Sequence, residues 1–194
     1  MHSKTRLIFD GSFFLMLSVV LLLLPLRWVI AWCLAVAVHE TGHYIALCAC
    51  RATVTSVSFS ARGIKILTGY LPPRVELICA ISGPVAGIFL TFFSKHIPYT
   101  AFCAFLQSVF NLMPIHPLDG GRVLRVVLRC LIKNDENVTK VERFLYALSF
   151  SSLLLLAVVF HLGAGVIAGI LLYFTQNILA NRRKKLYNRD KLYL

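Results

Sequence analysis

His39, Glu40 and His43 lie inside the apolar run AVAVHETGHYIAL, residues 35–47. On a helix the two histidines stand four residues apart on one face, where their imidazoles can share a zinc ion. Glu40 is turned by about 100° from His39, which sets its carboxylate beside a shared metal rather than on it. A carboxylate in that position can take a proton from a zinc-polarised water and later hand it to a leaving amine. The H-E-x-x-H spacing therefore describes hydrolytic zinc chemistry in which every residue has a role. The plain alternative is a pair of core histidines and a buried glutamate satisfied by their neighbours. Lipid surroundings count against it, because ionisable groups there are costly and usually functional.

A catalytic zinc needs a third protein ligand and an open position for water. Asp119 is the best candidate, an acidic residue held in the break formed by Pro114, Pro117, Gly120 and Gly121. The same residue would also serve as a helix N-cap, since Asp followed by Gly-Gly-Arg and an apolar run can start a helix. His116, two residues beyond Pro114, could reach the site but reads more plainly as a loop residue. Glu76 beside Arg74 reads as interfacial, and His2, His96 and His161 fall at termini or loops. The six cysteines contain no C-x-x-C pair and mostly sit in apolar runs as small hydrophobes, which argues against a disulfide or thiolate–zinc framework.

The elements that must position these groups are membrane helices. Hydrophobic residues make up 58% of the 194 residues and charged ones 14%, which leaves no room for a separate soluble domain. The expected fold is an all-α polytopic membrane protein, one domain of six transmembrane helices with a small membrane-associated β-hairpin. The spans fall at about 11–26, 28–50, 75–93, 98–113, 144–162 and 163–179, and no cleavable signal peptide is expected. The hairpin is placed at 53–71, where Val57, Phe59, Ile64 and Ile66 alternate with Ser58, Ser60 and Lys65. Ser82, Gly83, Ala86 and Gly87 in the third span suit close helix packing, and Pro84 bends it. The two prolines and two glycines between 114 and 121 imply an unwound segment at membrane depth, which requires a shield of protein or a water-filled cavity. Arg122, Arg125, Arg129 and Lys133 recur at helical spacing, the pattern of a basic amphipathic helix on anionic lipid.

With six spans, eighteen of the twenty Lys and Arg fall on one side, and only Arg27 and Lys95 on the other. The positive-inside rule then makes the chain a multi-pass protein of the cell membrane with both termini cytosolic, the last segment being a basic tail at 181–194. The net charge of +12 reads as topology and lipid contact, and no nucleic-acid partner is expected.

The motif His39-Glu40-Thr41-Gly42-His43 in the second span, followed about seventy residues later by Asn111-Leu112-Met113-Pro114-Ile115-His116-Pro117-Leu118-Asp119-Gly120-Gly121, resembles the site-2 proteases, a family of intramembrane zinc metalloproteases. The resemblance implies that His39, His43 and Asp119 bind one Zn2+ per chain and that Glu40 is the catalytic acid/base. It also implies that Asn111, with Pro114 and Pro117, lies along the bound peptide. The short form most resembles the bacterial sporulation branch that frees a sigma factor from its membrane-tethered precursor, without that branch's nucleotide-sensing CBS domain. Gly87 stands where many relatives have asparagine. The implied partners are a membrane-tethered protein substrate such as a pro-sigma or anti-sigma factor, anionic lipid, and a membrane inhibitor or regulator protein. Outside proteolysis, the remaining readings are a zinc transporter and a catalytically silent zinc-binding scaffold. A transporter would be expected to spread polar residues over several spans, and these spans show few.

Overall fold

The computed structural model describes residues 6–61, 63–132, 134–159, 161 and 175. The chain runs β1 (Arg6–Phe9), α1 (Gly11–Leu23), α2 (Leu26–Ala49), β2 (Val54–Ser60), β3 (Gly63–Thr68), α3 (Pro73–Thr91), α4 (Pro98–Asn111), α5 (Asp119–Leu131) and α6 (Asp135–Val159). Met1–Glu142 form one compact unit and Arg143–Leu194 a second. The expected sixth span and the basic tail lie outside the described residues.

The protein is mostly helical, and α2, α3 and α6 are long and apolar enough to cross a membrane. The expected first and fourth spans form shorter helices, α1 with 13 residues and α4 with 14. At 1.5 Å per residue each reaches about 20 Å, short of a hydrocarbon core of about 30 Å. Proline sets these limits. Pro25 is the N-cap of α2, so α1 must stop ahead of it, and Pro114 follows closely on the end of α4.

The hairpin expected at 53–71 belongs to a larger sheet. β2 and β3 pair antiparallel, from Val54↔Thr68 to Ser60↔Gly63, and β1 adds in parallel to the other edge of β2, Arg6↔Ser56 through Phe9↔Phe59. Residues 6–9, read in the sequence as a basic lead, therefore form a strand. Phe9 stacks on Phe59 with ring centroids 4.6 Å apart. Asp10 then ends the strand and starts α1, its carboxylate accepting a hydrogen bond from Ser12 N–H at 3.1 Å. The α1–α2 pair returns the chain to the same sheet, as a parallel pairing requires.

Two close approaches bring the helices of the first unit together. Gly42 of α2 lies against the Ser82 carbonyl and Ala86 of α3, with no room for a Cβ. Beyond α4 the backbone turns sharply, with Leu118 N–H donating to the Ile115 carbonyl at 2.8 Å and a cis His116–Pro117 bond. Gly120 meets the backbone of Leu112 and Met113, and Gly121 that of Ile115 and His116, where any side chain would collide. The Gly-Gly pair is thus what allows the turn to fold back on the start of α5.

Three of the α5 cations expected to meet anionic lipid also have acidic neighbours. Arg125 holds Glu142 in a bidentate pair at 2.7 and 3.0 Å, Arg122 lies 3.8 Å from Glu76, and Arg129 lies 3.7 Å from Asp135. Lys133 is outside the described residues.

Candidate metal centre

His39 and His43 sit on the inner face of α2, 2% and 8% exposed, and Asp119, 8% exposed, comes to them from the first turn of α5. His39 Nε2 and His43 Nε2 are 3.1 Å apart. Asp119 Oδ2 lies 3.2 Å from the first and 3.1 Å from the second. Ligands 2.0–2.1 Å from a tetrahedral zinc stand about 3.3 Å from one another. The three edges of this triangle have that size, so the donors fit one small cation without rearrangement.

The ring of His43 is fixed from behind. Its Nδ1 lies 2.6 Å from the carbonyl oxygen of Cys79. A carbonyl can only accept, so Nδ1 carries the proton and Nε2 turns its lone pair toward Asp119 and His39. The Cys79 carbonyl also accepts from Ser82 Oγ at 2.8 Å, so two side-chain donors share it. Gly83 provides the space, because a Cβ there would overlap the His43 ring. His39 lacks an equivalent support, and its buried Nδ1 has no hydrogen-bond partner among the described residues.

Of the two sequence readings of Asp119, the geometry disfavours the N-cap. The cap residue of α5 is Leu118 and no side chain caps it. The Asp119 carboxylate is directed at the imidazoles, while its other oxygen lies 3.7 Å from an Arg122 nitrogen. Arg122 also faces Glu76 on α3, so it stands between two carboxylates.

Glu40 is half-buried, and its carboxylate has no hydrogen bond or ion pair among the described residues. It stands next to His39 and is turned off the ligand face, as the helix geometry requires. Asn111, the last residue of α4, reaches the cluster with its side-chain amide 3.2 Å from His39 Nε2. Pro114 is half-buried and Pro117 exposed, both in the turn after α4, and His116 is not among the residues that converge. Sequence reasoning missed the Cys79 carbonyl and Gly83. The small-residue stretch Ser82-Gly83-Pro84 was their only signal, and it reads equally well as helix packing. The position of Gly87 proves to be a packing site, since a Cβ there would meet Ser108 Oγ of α4.

Residues 79–156 match the family model for Peptidase family M50. That window holds Asn111 and Asp119, while His39, Glu40 and His43 precede it and join them through the fold. Among solved structures, the fold is similar to a Site-2 Protease from Methanocaldococcus jannaschii, at 22% identity and a TM-score of 0.60 over 85% of each chain. No curated protein sequence matches this chain.

Proposed function

We propose that this chain is an intramembrane zinc metalloprotease, a site-2 protease that hydrolyses a peptide bond in or near the membrane segment of a tethered protein. The observation that carries the reading is the buried triangle of His39, His43 and Asp119 with the unpaired Glu40 at its side. The M50 match over residues 79–156 and the likeness in fold support it.

Zinc held by the two Nε2 atoms and Asp119 Oδ2 would polarise the scissile carbonyl and acidify a water. Glu40 accepts a proton from the water as its oxygen attacks the carbonyl carbon, then delivers that proton to the amide nitrogen as the C–N bond breaks. The products are a carboxylate and an amine. Asn111, within reach of the same centre, donates its amide N–H to the oxygen on which negative charge develops. Pro114 and Pro117 hold the adjoining turn open along the peptide, and the His43–Cys79 bond keeps the ligand set in register.

The scissile stretch must be extended, because helical peptide bonds are shielded by their own hydrogen bonds. The outer edge of β3 supplies main-chain partners for such a segment. A membrane-tethered pro-sigma or anti-sigma factor is the proposed substrate class, processed at the cell membrane by a multi-pass chain with cytosolic termini. A Glu40→Gln variant expressed in the native host tests this by retaining uncleaved substrate. Co-purified proteins should carry a membrane segment, and wild-type cells should contain their fragments with new termini in or near it. Recovery of partners whose termini are the same in wild-type and variant cells would favour the scaffold reading instead.

A further inference from the structure

An open cavity of about 360 Å3 lies between the starts of α2 and α4, with Arg27, His96, Tyr99 and Thr100 at a lining that Ile30, Ala31 and Ile97 make partly apolar. Arg27 precedes His43 by sixteen residues on one helix, about 24 Å, so the cavity is separate from the metal centre. Its polar groups are those of an anion site. The Arg27 guanidinium lies over the Tyr99 ring, 5.5 Å from the centroid. Stacking of this kind covers the face of the guanidinium and leaves its in-plane N–H donors free. Ion pairs among the described residues engage Arg122, Arg125, Arg129 and Lys140, and leave Arg27 without a carboxylate.

The helix beside it is uncapped. α4 begins at Pro98 after Ile97 with no side-chain cap, so the backbone N–H groups of Tyr99 and Thr100 have no helical acceptor and carry the positive end of the helix dipole. Independently, Thr100 is only 7% exposed and lines the cavity, and its hydroxyl has no hydrogen-bond partner among the described residues. The unpartnered hydroxyl of the mostly buried Thr100, an unpaired arginine and two free N–H groups border one space. Trp28 packs edge-on against Tyr99 at 4.8 Å, the kind of aromatic pair found at membrane interfaces. From the cavity, exposed apolar side chains descend one turn at a time, Ile30 and Leu34 on α2 and Phe102 and Leu106 on α4. They would flank acyl chains.

We propose that this cavity binds the phosphate of an anionic phospholipid, with the acyl chains lying along Ile30, Leu34, Phe102 and Leu106. Arg27 and the α4 N-terminus hold the charge, the Thr100 hydroxyl and a His96 ring N–H donate to the remaining oxygens, and the start of α2 is tied to the start of α4 through the headgroup.

The test is native mass spectrometry of the delipidated full chain titrated with dioctanoyl-phosphatidylglycerol, with dioctanoylglycerol as the same chains without phosphate, and with inorganic phosphate. Wild type should retain one phosphatidylglycerol at least tenfold more tightly than dioctanoylglycerol. Arg27→Gln should lose that preference and Arg27→Lys keep part of it. Thr100→Val, close in shape and safe for folding, should weaken retention several-fold with an unchanged unfolding midpoint in the absence of lipid. Equal retention of the two lipids, or of phosphatidylglycerol by wild type and both Arg27→Gln and Thr100→Val, would overturn the proposal. So would inorganic phosphate competing at the same concentration as the lipid, which would make this a site for free phosphate.

Discussion

His43 is held at Nδ1 by the Cys79 carbonyl, which leaves its Nε2 facing His39 Nε2 and Asp119 Oδ2. Its proposed role as a ligand therefore depends on a neighbour with no chemistry of its own. On the proposed reading, His43→Ala and Asp119→Ala each lower the zinc bound by purified protein, measured by elemental analysis, while His116→Ala keeps about one equivalent. Full zinc in Asp119→Ala would return that residue to a capping role and require another ligand. Gly83→Ala tests the support, since the added methyl pushes on the His43 ring. Overpacking of this kind costs about 1–3 kcal/mol, so both zinc content and the unfolding midpoint should fall, and an unchanged zinc content would show that the ring has room to move. Legibility at this scale follows the range of the contact. His39, Glu40 and His43 are readable because a single helix turn relates them, and Asp119 because prolines and glycines flag its break. Cys79 contributes a backbone carbonyl, which leaves no mark on residue type, and Gly83 is one small residue among several.

Elements were legible where their period was long enough to count. α2 and α3 fall close to the expected spans, whereas β1 has four residues and its pairing partner lies fifty positions away, so no local pattern marks it. On the proposed reading, its presence changes which edge a substrate can use. β2 is the central strand, so Phe59 is not at an edge, and Ile66 packs against the Ala46, Leu47 and Cys79 cluster next to the metal centre. In a two-residue hairpin closed at Ser60 and Gly63, alternation of the ladder turns the N–H of Ile64 outward. Ile64→Pro should therefore slow cleavage strongly in membranes while zinc content stays at the wild-type level, and Ile64→Ala should do much less. Equal rates for the two variants would make the sheet a structural cover and shift the grip on substrate to Asn111 and the turn after it. On α5 the helical spacing of the cations was legible, but their partners were not. Glu76 and Glu142 are distant in sequence, and only the fold brings them to Arg122 and Arg125.

Across the whole molecule, the asymmetry of charge and the sheet agree on one arrangement. β1 and the β2–β3 hairpin share a sheet, so residues 6–9 and 54–68 lie on the same side of any membrane that α1 and α2 enter. On the proposed topology, the positive-inside rule puts that side in the cytosol. Cysteine labelling of a cysteine-free background should find Ser60→Cys reactive from the cytosol and Lys95→Cys from the opposite face. Labelling of Ser60→Cys from outside alone would invert the arrangement and with it the route of substrate to the metal. In the proposed mechanism Glu40 performs proton transfer at a zinc held by its neighbours. Zinc content and cleavage rate measured together, for wild type and Glu40→Gln reconstituted with a substrate recovered on the variant, decide whether it does. About one zinc per chain is expected in both proteins, with a rate in the variant lower by roughly 10²–10⁴-fold. A Glu40→Gln protein that cleaves at the wild-type rate with zinc bound would contradict it.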